Sequence, residues 1–206
     1  MTKSEIARHI WLGEPKLSFH PDRSTDLDEH PLRGLLRFGP YSKNLVPDPI
    51  RVATLAPQGE SAKLYGFMRE LNSEFEPTER KEYLPKWPGF HNVFSVRMRG
   101  AGGTCHAELD DEFEREFAAS PAPHILLASR LTRAIHAMDA RRSDFDVLFI
   151  YIPARWHKAY VGGDDEDFDL HDYLKAFTAA RGLPIQLVRE DKALSYPHRA
   201  SVMWRG

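Results

Sequence analysis

The chain has 206 residues, enough for one large domain or one domain with an extension at roughly 150 residues per domain, which excludes a multi-domain machine. Its 28 Lys and Arg against 30 Asp and Glu leave a formal charge of -2, so it is neither a basic nucleic-acid coat nor an acidic solvating tail, and any polyanion site is local. Hydrophobic residues make up 42% and supply the bulk for a core, while a single cysteine, Cys105, excludes an internal disulfide framework and a four-cysteine zinc site.

A lone cysteine also points to a cytoplasmic setting. No apolar run approaches the roughly 18 residues of a membrane span. The opening MTKSEIARHIWLGEPK lacks the uninterrupted apolar stretch of a signal peptide. The expectation is a protein neither exported nor anchored in a membrane.

Residues 1–49 read as an irregular, proline-rich extension, since Pro15, Pro21, Pro31, Pro40, Pro47 and Pro49 interrupt each apolar run. Only short extended pieces are expected there, at Lys16-Leu17-Ser18-Phe19 and at Gly34-Leu35-Leu36-Arg37-Phe38. From Ile50 the pattern changes, and residues 50–206 read as the main domain. Ile50 to Leu55 predicts a buried strand, followed after Gly59 by a helix to about Phe75 with Leu64, Phe67, Met68 and Leu71 at helical spacing. Pro77 to Pro88 reads as a charged loop, Val93 to Met98 as a second strand running into Gly100-Ala101-Gly102-Gly103, and Asp110 to Ala118 as a short acidic helix.

Between His124 and Ala140, Leu127, Leu131, Ile135 and Met138 form one stripe of an amphipathic helix. Asp146 to Ile152 is nearly continuous in apolar and β-branched residues, as a central parallel strand covered on both faces requires. An acidic loop from Gly162 to Asp169 leads to a helix over about Leu170 to Arg181, capped by Gly182, and Pro184 to Val188 is a further strand. Strand and helix alternation predicts an α/β protein: a Rossmann-like open, mainly parallel sheet with helices on both faces and sites at the carboxyl ends of the strands.

The most informative stretch runs from Phe168 to Ala176 and resumes at Pro184 to Asp191. On a helix, His171 and Lys175 project from one face within the first two turns, where the dipole and free N–H groups favour an anion. The amide of Gln186 on the next strand closes such a site from the side. By spacing alone, the competing reading is a solvated helix face beside a core glutamine.

The run His171-Asp172-Tyr173-Leu174-Lys175-Ala176, with Ile185-Gln186-Leu187-Val188-Arg189-Glu190-Asp191 and Trp204, resembles the MID domain of short, MID-PIWI prokaryotic Argonautes. Glu14 to Phe19, Gly34-Leu35, Phe38 to Tyr41, Trp87 to Phe90 and Ile150 to Pro153 look like the opening half of that family. The resemblance implies a domain that holds the 5′ end of a guide RNA or DNA in nucleic-acid-guided defence against invading DNA. His171 would be the stacking or phosphate-donating ring, Lys175 the phosphate cation and Gln186 the amide contact. It further implies a Mg2+ ion bridging the phosphate, a second lysine downstream of Gly206 on a helix entering a PIWI domain, and target single-stranded DNA held only by the full protein. It also implies a separate NAD-consuming effector of sirtuin-like or TIR type. No nuclease residues fall within the chain, so the expectation is a binding protein and not an enzyme.

The rival classes are an α/β phosphohydrolase or nucleotide-binding enzyme using His171 and Asp172, and a structural module that docks an effector. Gly100 to Thr104 reads as a tight turn, because no Lys-Ser/Thr pair follows as a phosphate loop requires. Cys105 and His106 are adjacent on an extended segment and point opposite ways, against a nucleophile and base pair. The acidic run Asp164, Asp165, Glu166, Asp167, Asp169 puts Leu170 where a calcium loop needs glycine, and so reads as a solvated loop. Arg130, Arg133, Arg141 and Arg142 form a basic edge, a candidate for nucleic-acid backbone contact.

Overall fold

A computed structural model describes residues 13–42, 46–161 and 168–205. The acidic run from Asp164 to Asp167 lies outside the described residues. Strands β1 (Leu17–Ser18) and β2 (Leu27–Asp28) pair antiparallel and lead into helix α1 (Pro31–Phe38). The expected extended piece at 34–38 is therefore corrected to helix. Pro31 sits in the first turn, where its missing N–H has no partner to lose, and His30 Nδ1 accepts from Arg33 N at 3.2 Å. Proline starts this helix instead of breaking the run. Gly34 is the one buried residue of α1, and the Phe19 ring lies directly against it.

Strand β3 (Ile50–Pro57) precedes helix α2 (Ser61–Leu71). The second expected strand, over 93–98, is also corrected: helix α3 (Phe90–Phe94) occupies its first half and only β4 (Met98–Gly100) is extended. Phe90 and Phe94, four apart, meet at 4.6 Å between ring centroids, and Ser95 in left-handed geometry (φ 59°) ends the turn. A short strand that the pattern did not announce, β5 (His106–Leu109), follows. Then come α4 (Asp111–Ala119), α5 (Pro123–Met138), β6 (Val147–Ile152), α6 (Leu170–Ala179), β7 (Ile185–Arg189) and α7 (Arg199–Arg205). Gly182 (φ 60°) turns the chain out of α6, as its sequence position predicts.

All pairings in the five-stranded sheet are parallel. β4 and β5 share one side of β3, β6 takes the other, and β7 lies beyond β6 at the edge. Alternation divides the core in two. Leu148, Ile150 and Ile152 of β6 pack with Leu127, Leu131, Ile135, Leu170 and Leu174 of α5 and α6. Phe149 and Tyr151 pack on the other face with Leu64, Phe67 and Met68 of α2 and Met203 of α7. This is the expected α/β architecture with helices on both faces. No helix among the described residues is long and apolar enough to cross a membrane.

Two glycines inside helices test the packing with opposite signs. A Cβ at Gly34 would overlap the Phe19 ring, which itself stacks on Phe38 at 5.8 Å, whereas a Cβ at Gly66 in α2 meets nothing within 4 Å. Gly34→Ala is expected to destabilise by about 1–3 kcal/mol through overpacking, and Gly66→Ala to stabilise by about 0.5–1 kcal/mol through helix propensity. Urea unfolding of both variants checks this; stabilisation by Gly34→Ala would show that the N-terminal segment does not pack as described.

Candidate functional site

β7 is an edge strand, and two of the three sequence-predicted residues, Lys175 of α6 and Gln186 of β7 itself, meet at its outward side. In a parallel ladder alternate carbonyls point to each neighbour. Pro184 O accepts from Leu148 N at 3.0 Å, so the carbonyls of Ile185 and Leu187 turn away from β6. Lys175 Nζ, reaching over from α6, donates to Ile185 O at 2.5 Å. Gln186 Nε2 donates to Leu187 O at 3.3 Å. Ile185 and Leu187 belong to the α5 and α6 side of the core and Val188 to the α2 and α7 side, so Gln186 emerges on the face opposite α6. Lys175 and Gln186 therefore approach one strand edge from its two faces. A lysine and an amide on open carbonyls also blunt the edge against pairing with another chain.

His171 stands one turn nearer the start of α6, half-exposed, with Nδ1 2.8 Å from Asp172 Oδ1. Among the described residues no hydrogen bond joins it to Lys175 or Gln186. The first-turn N–H groups expected to attract an anion are not free: Asp169 caps the helix and accepts from His171 N at 2.7 Å and Asp172 N at 3.2 Å. The amino end of α6 is thus already served by a carboxylate, and the anion-binding expectation is corrected for the backbone N–H groups.

Asp169, His171 and Asp172 are also a group whose ligand atoms lie within 4.8 Å of one another. The set fits Mg2+ poorly. That ion prefers an octahedron of oxygens, one donor here is an imidazole nitrogen, and Asp169 Oδ1 is committed to two N–H groups.

On the far side of Gln186 opens a cleft of about 320 Å³ between β7, the turn after it and α7. Arg189, Lys192 and Arg205 line it, together with Tyr196 and an apolar floor that includes Val188 and Val202; no carboxylate lines it. Sequence reasoning missed Lys192, Tyr196 and Arg205, which carry no motif of their own and meet only because α7 folds back on β7.

The topological switch point of the sheet lies elsewhere, between the carboxyl ends of β3 and β6, where an open α/β sheet ordinarily holds its ligand. Here that crevice is occupied by the protein's own charges. Lys63 of α2 donates to the Tyr151 hydroxyl at 2.8 Å and pairs with Glu60 at 2.8 Å and Glu190 at 3.4 Å. Arg155 bridges Glu60 and Glu114, both at 2.6 Å, and Ala154 N donates to Glu190 at 2.8 Å. Burial alone would lower the pKa of Lys63, but its hydrogen bonds to Glu60 and Tyr151 outweigh that and hold it charged beyond its usual range. Burial pushes the Tyr151 phenol up, against the pull of Lys63. The backbone N–H of Ala154 leads in holding Glu190 below the usual carboxylate range. Neither Lys63 nor Tyr151 is poised to exchange a proton near neutrality.

The remaining candidates resolve into structure. Gly102 O accepts from Cys105 N at 2.8 Å, closing the expected turn. Cys105 is buried, and His106 addresses Thr54 Oγ1 (2.8 Å) and Glu108 (3.1 Å), so no cysteine and histidine pair forms. Within the basic edge, Arg130 pairs with Glu116, and Arg142 donates to the carbonyls of Phe145 and Gly182. Only Arg133 and Arg141 stay exposed toward solvent. A scan against protein-family models finds no match, and a search of curated proteins finds no significant relative.

The closed switch point is testable by alkaline titration of phenolate absorbance. Tyr151 and Tyr160 are both held up chiefly by burial and are expected to ionise above the ordinary value of 10.0. Lys63→Ala removes a cation that favours the phenolate and should move Tyr151 further up. Ionisation of Tyr151 at the ordinary value would mean that the crevice is open to water.

Proposed function

We propose that this chain binds the 5′-phosphorylated end of a guide nucleic acid, as the MID part of a prokaryotic Argonaute in nucleic-acid-guided defence against invading DNA. One observation carries the reading: the Lys175 ammonium and the Gln186 amide converge on the outer edge of β7, beside a cationic cleft without carboxylates. An arriving phosphate oxygen replaces the Ile185 carbonyl as the acceptor for Lys175. A charged acceptor makes the stronger bond, so the exchange is favourable. Gln186 Nε2 turns from Leu187 O to a second oxygen. The half-exposed His171 ring presents a stacking surface or an Nε2 donor one turn away.

Binding by point charges at an exposed edge is salt-sensitive, and the chain contributes recognition without breaking a bond. In the same proposal, target DNA is held together with further parts of the protein, and an NAD-consuming effector acts downstream. The resemblance in the runs 171–176 and 185–191 joins the site to this function, and the α/β fold is compatible with it.

The test is equilibrium binding of 5′-phosphorylated and 5′-hydroxyl single strands, RNA and DNA, to the chain and to Lys175→Ala and Gln186→Ala. The phosphorylated strand is expected to bind roughly tenfold or more tightly, the worth of one charge-assisted contact. Lys175→Ala should reduce that preference to near unity. Equal affinity for both strands in the unaltered chain would refute the reading. Metal-dependent turnover of a small phosphate ester, lost in His171→Ala, would instead favour an enzyme built on the Asp169, His171 and Asp172 group.

A further inference from the structure

The two edges of the sheet are finished differently. At β7 a lysine and an amide already sit on the outward carbonyls of Ile185 and Leu187. At the opposite edge, β4 carries no such cover. Arg97 O accepts from Ile50 N and Ala101 N donates to Val52 O, both at 2.8 Å, so Arg97, Arg99 and Ala101 address β3 with their backbone groups. The N–H and C=O groups of Met98 and Gly100 therefore point away from the sheet. Among the described residues none of these four groups has a hydrogen-bond partner.

The surroundings of this edge are cationic. Met98 packs into the α2 side of the core, so the Arg99 side chain next to it emerges on the other face. Arg99 is exposed and makes no ion pair among the described residues, and the same holds for Arg69 in the last turn of α2. Both border a groove of about 480 Å³ that Tyr65, Asn72 and Met98 also line, and no carboxylate lines it. The half-exposed Tyr65 ring lies over Gly100, where a Cβ would stand 3.2 Å from it. Above the strand edge there is thus an aromatic surface, with one free cation on each side.

An extended chain laid against such an edge satisfies its open donors and acceptors in register, and side chains on its two faces supply the selection. One face of the incoming strand meets Tyr65 and Arg69 and the other meets Arg99, so acidic side chains are favoured on both. The same arginines disfavour a second copy of this edge, because pairing β4 with itself brings like charges together. With only three residues, Met98–Gly100, the edge suits a linear segment better than the long edge of another sheet.

We infer that β4 is a docking edge for an extended acidic peptide segment of another protein, which adds as a further strand through Met98 and Gly100 and is selected by Arg69 and Arg99. This edge lies across the sheet from Lys175, and docking there does not depend on a guide strand.

The experiment titrates the chain with a labelled peptide of valine and glutamate that carries glutamates on both faces when extended, with its glutamine-for-glutamate copy and with its fully N-methylated copy. Affinity is read by fluorescence anisotropy and backbone protection by amide hydrogen exchange. The acidic peptide is expected to bind and to slow exchange at Met98 and Gly100 by roughly tenfold or more, while Arg99 and Ala101, already bonded to β3, change little. Arg69→Gln and Arg99→Gln should each weaken binding about threefold, the worth of an exposed ion pair, and the glutamine copy should lose as much as the double variant. The N-methylated copy keeps the charge but offers no N–H, and should not bind. Equal binding of that copy would overturn strand addition and leave a basic patch. Unchanged affinity in the double variant, or no binding of the acidic peptide, would overturn the assignment of the partner. Protection of Met98 and Gly100 in concentrated protein without peptide would make the occupant a second copy and overturn it equally.

Discussion

The parallel pairing of β3 with β6 is the constraint on which the rest of the molecule depends. Val52 to Leu55 run beside Val147 to Ile150 in register, and both strands are covered on both faces, with Thr54 the one polar side chain in the paired stretch. A parallel strand of that kind must be covered on both sides, so α5 and α6 lie on one face and α2 and α7 on the other. The pair is clamped at its start by Arg51, whose backbone N–H, Nε and Nη2 address the Asp146 carboxylate at 2.8–3.0 Å while Nη1 donates to Ser143 O. It is clamped at its end by the network around Lys63, into which Tyr151 projects the one hydroxyl of β6. Ninety-five residues of chain separate Arg51 from Asp146. Once both ends are tied, the register of the sheet and the faces presented by β7 follow.

That arrangement also determines where a ligand is not held. The carboxyl ends of β3 and β6 are the expected crevice of a doubly wound sheet, and in this chain three glutamates, a lysine and an arginine complete one another there. A phosphate entering would have to displace carboxylates already paired in a partly dry setting, which is costly for both partners. Lys175 and Arg205, which make no ion pair among the described residues, and the exposed Lys192, whose Asp191 partner stands at 3.8 Å, lie instead at the outer edge of the sheet. The centre, three carboxylates against two cations, is thus largely self-satisfied with a residual charge of -1.

Composition and periodicity were enough for the α/β class, for β3, β6 and β7, for α2, α5 and α6 and for the glycine that ends α6, because long buried elements print their period on the chain. They were not enough for α1 and α3, which are eight and five residues long. In so short a segment, propensity is overruled by the first-turn proline of α1 and by the Phe90 and Phe94 rings of α3. Local spacing also put Lys175 and Gln186 in reach of one site. It did not show that they arrive from opposite faces of β7, nor that Asp169 takes the first-turn N–H groups of α6.

The sequence by itself determined the class of fold, the central strands and the helix-borne residues His171 and Lys175, since each of these rests on neighbours within one or two turns or one strand. Only the tertiary structure decided that the switch point is filled by Glu60, Lys63, Glu114, Tyr151, Arg155 and Glu190, and that Lys192, Tyr196 and Arg205 share a cleft with Gln186. Those groupings gather side chains from separate elements, and their geometry is set by how the helices cover the sheet. No spacing along the chain encodes it.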